Sequence, residues 1–529
     1  MKKTCFLLLA LFTTGVSWGQ LSGTKTIKAS GGDYSTFTQA ITALNTSGVG
    51  AGGVIFNVDP DLVSVETCPV ITATGTSANP VVFQKSGAGA NPVIKPTGIG
   101  GTADAGIAIR GGDYITFDGI DVATNSDFGV EHGYYVSNFS NTNGAQHNTI
   151  KNCTITLFRG YLNTRGIYQN AAANPTNANG ANSYNTYENI FVQNSYWGMY
   201  LKGLGTFPDL SCVVKNNTVG AASANDIANG SSLACGIRIF ASSGISVFDN
   251  EIRNITVSES SLYGLWLETL KGTNNNVYNN KIHSLTCTNW AYSSVVYGML
   301  ITCLNSNIVN GNVYNNMIYA LEHGADGSAT TKVIQAMGLT GTNATFNIYF
   351  NSVRIDENSY PVSTCFYNTG IVTLKNNIFA NFSAPHPSGA ISKFCISNAG
   401  VISAADYNDY HIISGTNNYV GSSGNNYATL ADWKAGTGFD ANSVDRDPMF
   451  QSATDLHIQP VVSPVRGAGV TIPGITTDID GNIRSDQPTI GAAEAAPIVA
   501  PIPTVSEWGL ILLGLTLLGF GTIFILRRG

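Results

Sequence analysis

Six residues, Val277-Tyr278-Asn279-Asn280-Lys281-Ile282, constrain this chain more than any others. Their pattern is apolar, any, Asn, Asn, any, apolar, and it recurs down the sequence. Val313-Tyr314-Asn315-Asn316-Met317-Ile318 is nearly a copy, and copies with varied flanks begin at Val214 and Leu374. Those at Val247 and Ile348 change only the first Asn, and degenerate ones begin at Ile115, Ile150, Tyr187 and Ala405. Intervals run from 26 to 37 residues. A fixed signature at uneven intervals means a constant element interrupted by loops of varying length, which is a repeat architecture.

A second ladder runs out of phase: Gly166-Ile167-Tyr168, Gly198-Met199-Tyr200, Gly236-Ile237-Arg238, Gly264-Leu265-Trp266 and Gly298-Met299-Leu300, continued by Gly338-Leu339. Glycine before alternating apolar residues reads as another strand entered through a tight bend. Two strand types per period predict a coil of several short strands. Charged residues make up only 11% of the 529, and short β-rich runs dominate over helical periodicity. The expected fold is all-β: a parallel β-helix solenoid of roughly 10–12 coils, estimated from the repeat spacing.

In such a coil the Asn pair has a physical role. One turn residue needs positive φ, which Asn tolerates. Stacked coils place successive amides at strand spacing, where they bond along the axis. Asn217, Asn250, Asn280, Asn316, Asn351 and Asn377 are the expected structural ladder. Phe37, Ala40, Ile41 and Leu44 share one face of a short helix with capping-box spacing at Thr36 and Gln39, the expected lid on the open apolar end.

The boundaries follow: 1–19 a secretory signal peptide, 20–53 an N-terminal cap, 54–429 the parallel β-helix, 430–494 a C-terminal coil and cap region, 495–501 a linker. Lys2 and Lys3 precede the apolar run Cys5–Phe12, with small Ser17 and Gly19 before the cut. At the other end Ile502, Pro503, Thr504, Val505, Trp508 and Gly509 precede an apolar run over 510–526, a transmembrane helix by length, and then Arg527-Arg528.

This terminal segment, 502–529, closely resembles the IPTL-CTERM sorting signal of Gram-negative bacteria, with Val505 where that family usually has Leu. The resemblance implies an exosortase-type processing protease, a membrane-held precursor and delivery to the cell surface. The ladder, the Trp433 segment, Asp447-Pro448-Met449-Phe450 and Ile490-Gly491-Ala492 together resemble the right-handed parallel β-helix proteins of bacterial surfaces, of the pectate-lyase-like superfamily, over roughly residues 30 to 494, which implies a right-handed coil. That superfamily includes lyases, hydrolases, esterases and proteins without catalysis, so it implies the fold and leaves activity open.

Convergent chemistry is sparse. Asp249, Glu251 and Arg253 alternate on one strand beside Arg238, with Glu268 and Lys271 one coil on; this is the weak catalytic candidate, of a polysaccharide-lyase kind. Tyr196, Trp197, Trp266 and Trp290 fall in adjacent coils and are candidate sugar contacts. Glu131-His132 and Glu322-His323 read as exposed loop residues, and Asp478-x-Asp480-Gly481 as a turn. No metal or cofactor is expected. Eight cysteines follow the leader without CxxC spacing and read mostly as buried apolar residues. The formal net charge is −7 with no basic stripe, which argues against nucleic acid. The leading expectation is a non-catalytic surface scaffold for adhesion, matrix or glycan contact. The alternatives are a lyase acting on acidic polysaccharide and a plain spacer.

Overall fold

A computed structural model describes residues 19–98, 101, 104–124, 129–223, 226–288, 294–304, 308–324, 333–356, 362–386, 391–459, 461–496 and 507–527. Three long sheets run the length of the chain, with 13, 13 and 12 strands, and the chain visits them in turn. Each sheet is built from parallel neighbours one coil apart, save for one antiparallel pair at Asn418–Ser423 and Asn425–Tyr427. This is the expected parallel β-helix.

One coil shows why the sequence folds this way. Strand Gly272–Tyr278 belongs to the first sheet, Lys281–Cys287 to the second and Val295–Cys303 to the third. Only Asn279 and Asn280 separate the first two. The first Asn takes φ of +55°, and the chain turns between sheets there. Asn152, Asn189, Asn216, Asn315 and Asn376 repeat that conformation at the same place, as do Asp249, Phe350 and Tyr407. The second Asn is buried. In-register Val214, Val247, Val277, Val313, Ile348 and Leu374 point inward beside it. Burying such branched side chains stabilises by roughly 1.5–3 kcal/mol each. Near the N-terminal end the column becomes aromatic: the Phe83 ring stacks on Phe56 at 4.4 Å and on Phe117 at 4.8 Å.

The ladder is continuous. The Nδ2 of Asn217, Asn250, Asn280 and Asn316 each donates 2.9 Å to the Oδ1 of the next Asn along the axis. Asn351 and Asn377 do the same at 3.0 Å, and Asn377 reaches Asn408, the second turn residue of the degenerate copy at Ala405. Each Oδ1 also accepts a backbone N–H, as Asn280 does from Asn250 at 3.2 Å. The row ends where Asn408 donates to Asp440 at 3.1 Å.

Two register assignments change. Ile150 pairs with Phe117, so the first copy begins at Phe117 and its turn is Gly119, φ +70°. A shift of two residues keeps the same side chains inward, so the apolar pattern alone does not reveal it. In the third sheet Leu300 pairs with Gly338, so Ala336 occupies the ladder position. The glycines are not left-handed residues. What they need is room. A Cβ on Gly264 would stand 2.4 Å from Ile282 Cγ2 and 2.6 Å from Gly298 O, and those on Gly198, Gly236 and Gly298 would meet Val219, Ile252 and Ile318 as closely.

Helix Phe37–Ser47 buries Phe37, Ala40, Ile41 and Leu44, with Thr36 accepting from Gln39 N at 3.2 Å. At the far end, helix Leu430–Thr437 buries Trp433 completely, and Trp433 Nε1 donates to Asp440 at 2.8 Å. The chain then turns back along the outside of the second sheet. Phe450, Leu456, Ile458, Ile479 and Ile490 pack on Met317, Tyr319, Ile378 and Ala380. Arg484 lies over the Phe350 ring at 3.7 Å and donates to Asn315 Oδ1 at 2.8 Å and Glu494 at 3.0 Å. Asn376 exchanges two bonds with Val470. The strap therefore docks on the turn residues that precede the ladder.

The C-terminal apolar run forms helix Glu507–Leu526. Among the described residues no helix is long and apolar enough to cross a membrane. The spanning role expected for 510–526 is therefore not part of the observed architecture. Of the expected signal peptide, 1–19, residues 1–18 lie outside the described residues, and so do Ile502–Val505.

Candidate functional site

The outer face of the third sheet carries two columns of rings and guanidinium groups. In strand Arg165–Asn170 the glycine and the residue after it are both buried between partly exposed Arg165 and Tyr168, so residues three apart share this face. One column is His132, Arg165 and Trp197, in register. The other is Tyr135, Tyr168, Tyr200, Arg238 and Trp266. Tyr135 and Tyr168 stack at 5.4 Å. The Arg238 guanidinium sits between rings, 4.7 Å from the centre of Tyr200 and 4.2 Å from that of Trp266. Glu268, from the next coil, accepts from its Nε at 2.8 Å and also from Nη2. Desolvated cation–π contacts contribute about 2 kcal/mol or less each.

Arg165 differs from Arg238. It lies over Tyr168 at 4.7 Å and Trp197 at 5.8 Å, and Nη1 donates to Asn163 O at 2.8 Å. Its buried Nε has no hydrogen-bond partner among the described residues, and neither have His132 Nδ1, Asn170 Oδ1 and Trp266 Nε1. All four are on this one sheet. Burial holds Arg165 below the usual guanidinium range. His132 is pushed down to about 3 by burial and then by Arg165, so it is neutral at physiological pH. Buried polar groups ordinarily have partners; these four lie among the rings and guanidinium groups of this sheet.

The candidates read from sequence are distributed differently. Arg238 belongs to this face. Asp249 occupies the turn, φ +55°, and accepts from Asn279 at 3.0 Å. Glu251 and Arg253 are on the second sheet, paired at 2.8 Å, and Glu251 also meets His283 at 3.2 Å. The four do not converge. Tyr196 is buried, donating its hydroxyl to Ser232 O at 2.7 Å, so it presents no face. Trp197 is only 8% exposed, whereas Trp266 is partly exposed. Trp290 lies outside the described residues.

Glu131 and His132, expected in a loop, are each 1% exposed, and His132 opens strand His132–Ser137. His323 is equally buried, at the end of strand Met317–His323, with Ser294 Oγ at 2.9 Å from Nε2. The glycines beside them suggested loops because close approach and a bend give the same sequence signal. Asp478 is a turn as expected, its carboxylate accepting from the backbone of Asp480, Asn482 and Glu494. The eight cysteines are buried thiols. Arg165, the least compensated cation on the face, was missed; its place one residue before a ladder glycine is the signal that would have found it.

The IPTL-CTERM motif model matches residues 500–528, marking an exported protein with a C-terminal sorting motif. No curated protein matches the chain. Among solved structures it is similar to pectate lyase Pel9A, at 14% identity and TM-score 0.44, covering 91% of this chain and 98% of that one. PfbA, a surface adhesin of Streptococcus pneumoniae, matches at 11% identity and TM-score 0.36, covering 74% and 89%. A GH136 lacto-N-biosidase from Eubacterium ramulus matches at 12% and 0.35, covering 70% of this chain. The chain spans 64% of that enzyme's length. At these identities the likeness concerns the fold.

Proposed function

We propose that this protein is a surface-displayed β-helix of a Gram-negative bacterium that contacts polysaccharide through the outer face of its third sheet without chemically altering it. In this reading residues 1–19 direct export, the apolar run 510–526 holds the precursor in the membrane, and an exosortase-type protease removes the tail. The observation that carries the binding role is the set of unpartnered buried polar atoms among aromatic rings and guanidinium groups. The catalytic candidates are instead spent on one another: Arg238 on Glu268, Arg253 on Glu251.

A glycan array probed with the full chain tests this. Binding is expected, with a loss of roughly tenfold for Arg165→Ala and for Trp266→Ala while far-ultraviolet circular dichroism is unchanged. Binding to no glycan would favour a plain spacer and overturn the proposal. Incubation with uronate polymers, with and without calcium, separates the lyase alternative. New absorbance from an unsaturated product, abolished by Arg238→Ala, would replace this reading.

A further inference from the structure

The first sheet, which carries none of the site above, also has an ordered outer face. Asn276, Asn312 and Asn347 stand in register on neighbouring coils, and so do Tyr278, Tyr314 and Tyr349. Asn312 Nδ2 donates to Asn276 Oδ1 and Asn347 Nδ2 to Asn312 Oδ1, both at 2.9 Å. The Tyr278 and Tyr314 rings stack at 4.8 Å, 1° from parallel. The strap residues Ile472–Ile475 wall the rows, closing a groove of about 500 Å³, within the usual range for a ligand site.

The groove's chemistry restricts its occupant. An amide has two N–H groups and two lone pairs, so Asn312 keeps one of each after its ladder bonds. The Tyr278 and Tyr314 hydroxyls make no hydrogen bond among the described residues. The Tyr278 ring is stacked against Phe248 on one side and Tyr314 on the other, so at this coil the row offers a ring edge, a hydroxyl and an amide. No charged side chain lines the groove. Its donor and acceptor sets repeat once per coil, at about 4.8 Å, close to the rise of one hexose in an extended β-linked chain. We infer that this groove binds a neutral β-linked glucan-type polysaccharide laid along the solenoid axis, each hexose meeting one Asn–Tyr pair through its hydroxyls. The site is independent of the third-sheet face and requires no contact with it.

Isothermal titration calorimetry of the full chain with cellohexaose tests the inference. Saturable binding is expected, weakened roughly fivefold or more by Tyr314→Phe and by Asn312→Ala. Tyr314→Phe keeps the ring stack and removes only the hydroxyl, so its effect does not depend on misfolding. Absence of binding, or binding indifferent to both groove variants, would overturn the proposal. So would tighter binding of hexagalacturonate lost in the same variants, because a groove selective for carboxylates is not the one described.

Discussion

Asn279 and Asn280 are adjacent and of one type, yet they do different work. Asn279 supplies a left-handed turn, so Asn279→Gly is expected to stay within about 1 kcal/mol of the parent while Asn279→Ala costs about 1–2 kcal/mol. Asn280 supplies amide bonds inside the core. Asn280→Ala leaves the Asn250 backbone N–H and one Asn250 amide N–H without their acceptor and removes the donor to Val247 O, while Asn316 Oδ1 keeps only the backbone N–H of residue 280. Each buried unsatisfied group costs about 1–3 kcal/mol, so chemical denaturation should show a loss of about 3 kcal/mol or more. Gly264→Ala places a methyl against Ile282 and the Gly298 carbonyl. A loss of about 1–3 kcal/mol is expected in the same assay; no measurable change would mean that backbone conformation, not space, selects glycine here. The Asn pair was legible because its two demands, positive φ and axial bonding, both favour one residue type. The glycine was legible as a position but not as a cause, since bend and lack of room leave the same mark. His132 and His323 were misplaced for that reason.

At the scale of elements, the coil strands were readable and the returning strap was not. Strands announce themselves by apolar residues that must face inward. The strap buries scattered residues such as Phe450, Ile479 and Arg484 against an outer sheet face, and no periodicity governs that. Its docking contains a titratable joint. His457, on strand Asp455–Ile458, lies 2.6 Å from Asp480 and bonds Asp455, while Lys281 beside the Asn pair is 3.7 Å from Asp480. The hydrogen bond to Asp480, then that to Asp455, raise His457 to about 9 against the opposing effect of burial. A pKa raised above the unfolded value of about 6.5 stabilises fully below that value and is lost as pH rises through about 9. Limited proteolysis between pH 7 and pH 10 should therefore find the strap increasingly cleavable across pH 9 while the coils resist. His457→Gln should make it cleavable already at pH 7. A strap equally resistant throughout would mean its apolar contacts alone hold it.

For the whole molecule, the docked strap separates folding from sorting. Near residue 496 the strap is held by Arg484 with Glu494, by the Glu494 N–H donated to Asp478 and by the Ala495 N–H donated to Thr489 Oγ1, and the strap is itself fixed to Asn315, Asn376 and Ser352 of the coils. Helix Glu507–Leu526 exposes Leu510, Leu512, Leu517, Leu518 and Phe520. Cleavage beyond residue 496 then removes an address without removing any part of the core. Two outcomes follow. A chain ending at residue 496 should melt within a few degrees of the full chain, since no buried apolar area of the solenoid is lost. Mass spectrometry of the surface-exposed form should lack any peptide spanning Phe520 to Arg527, which the precursor contains. Recovery of that peptide from the surface form would show instead that the terminal helix is kept as a permanent anchor. The strap would then carry the mechanical load between that anchor and the solenoid.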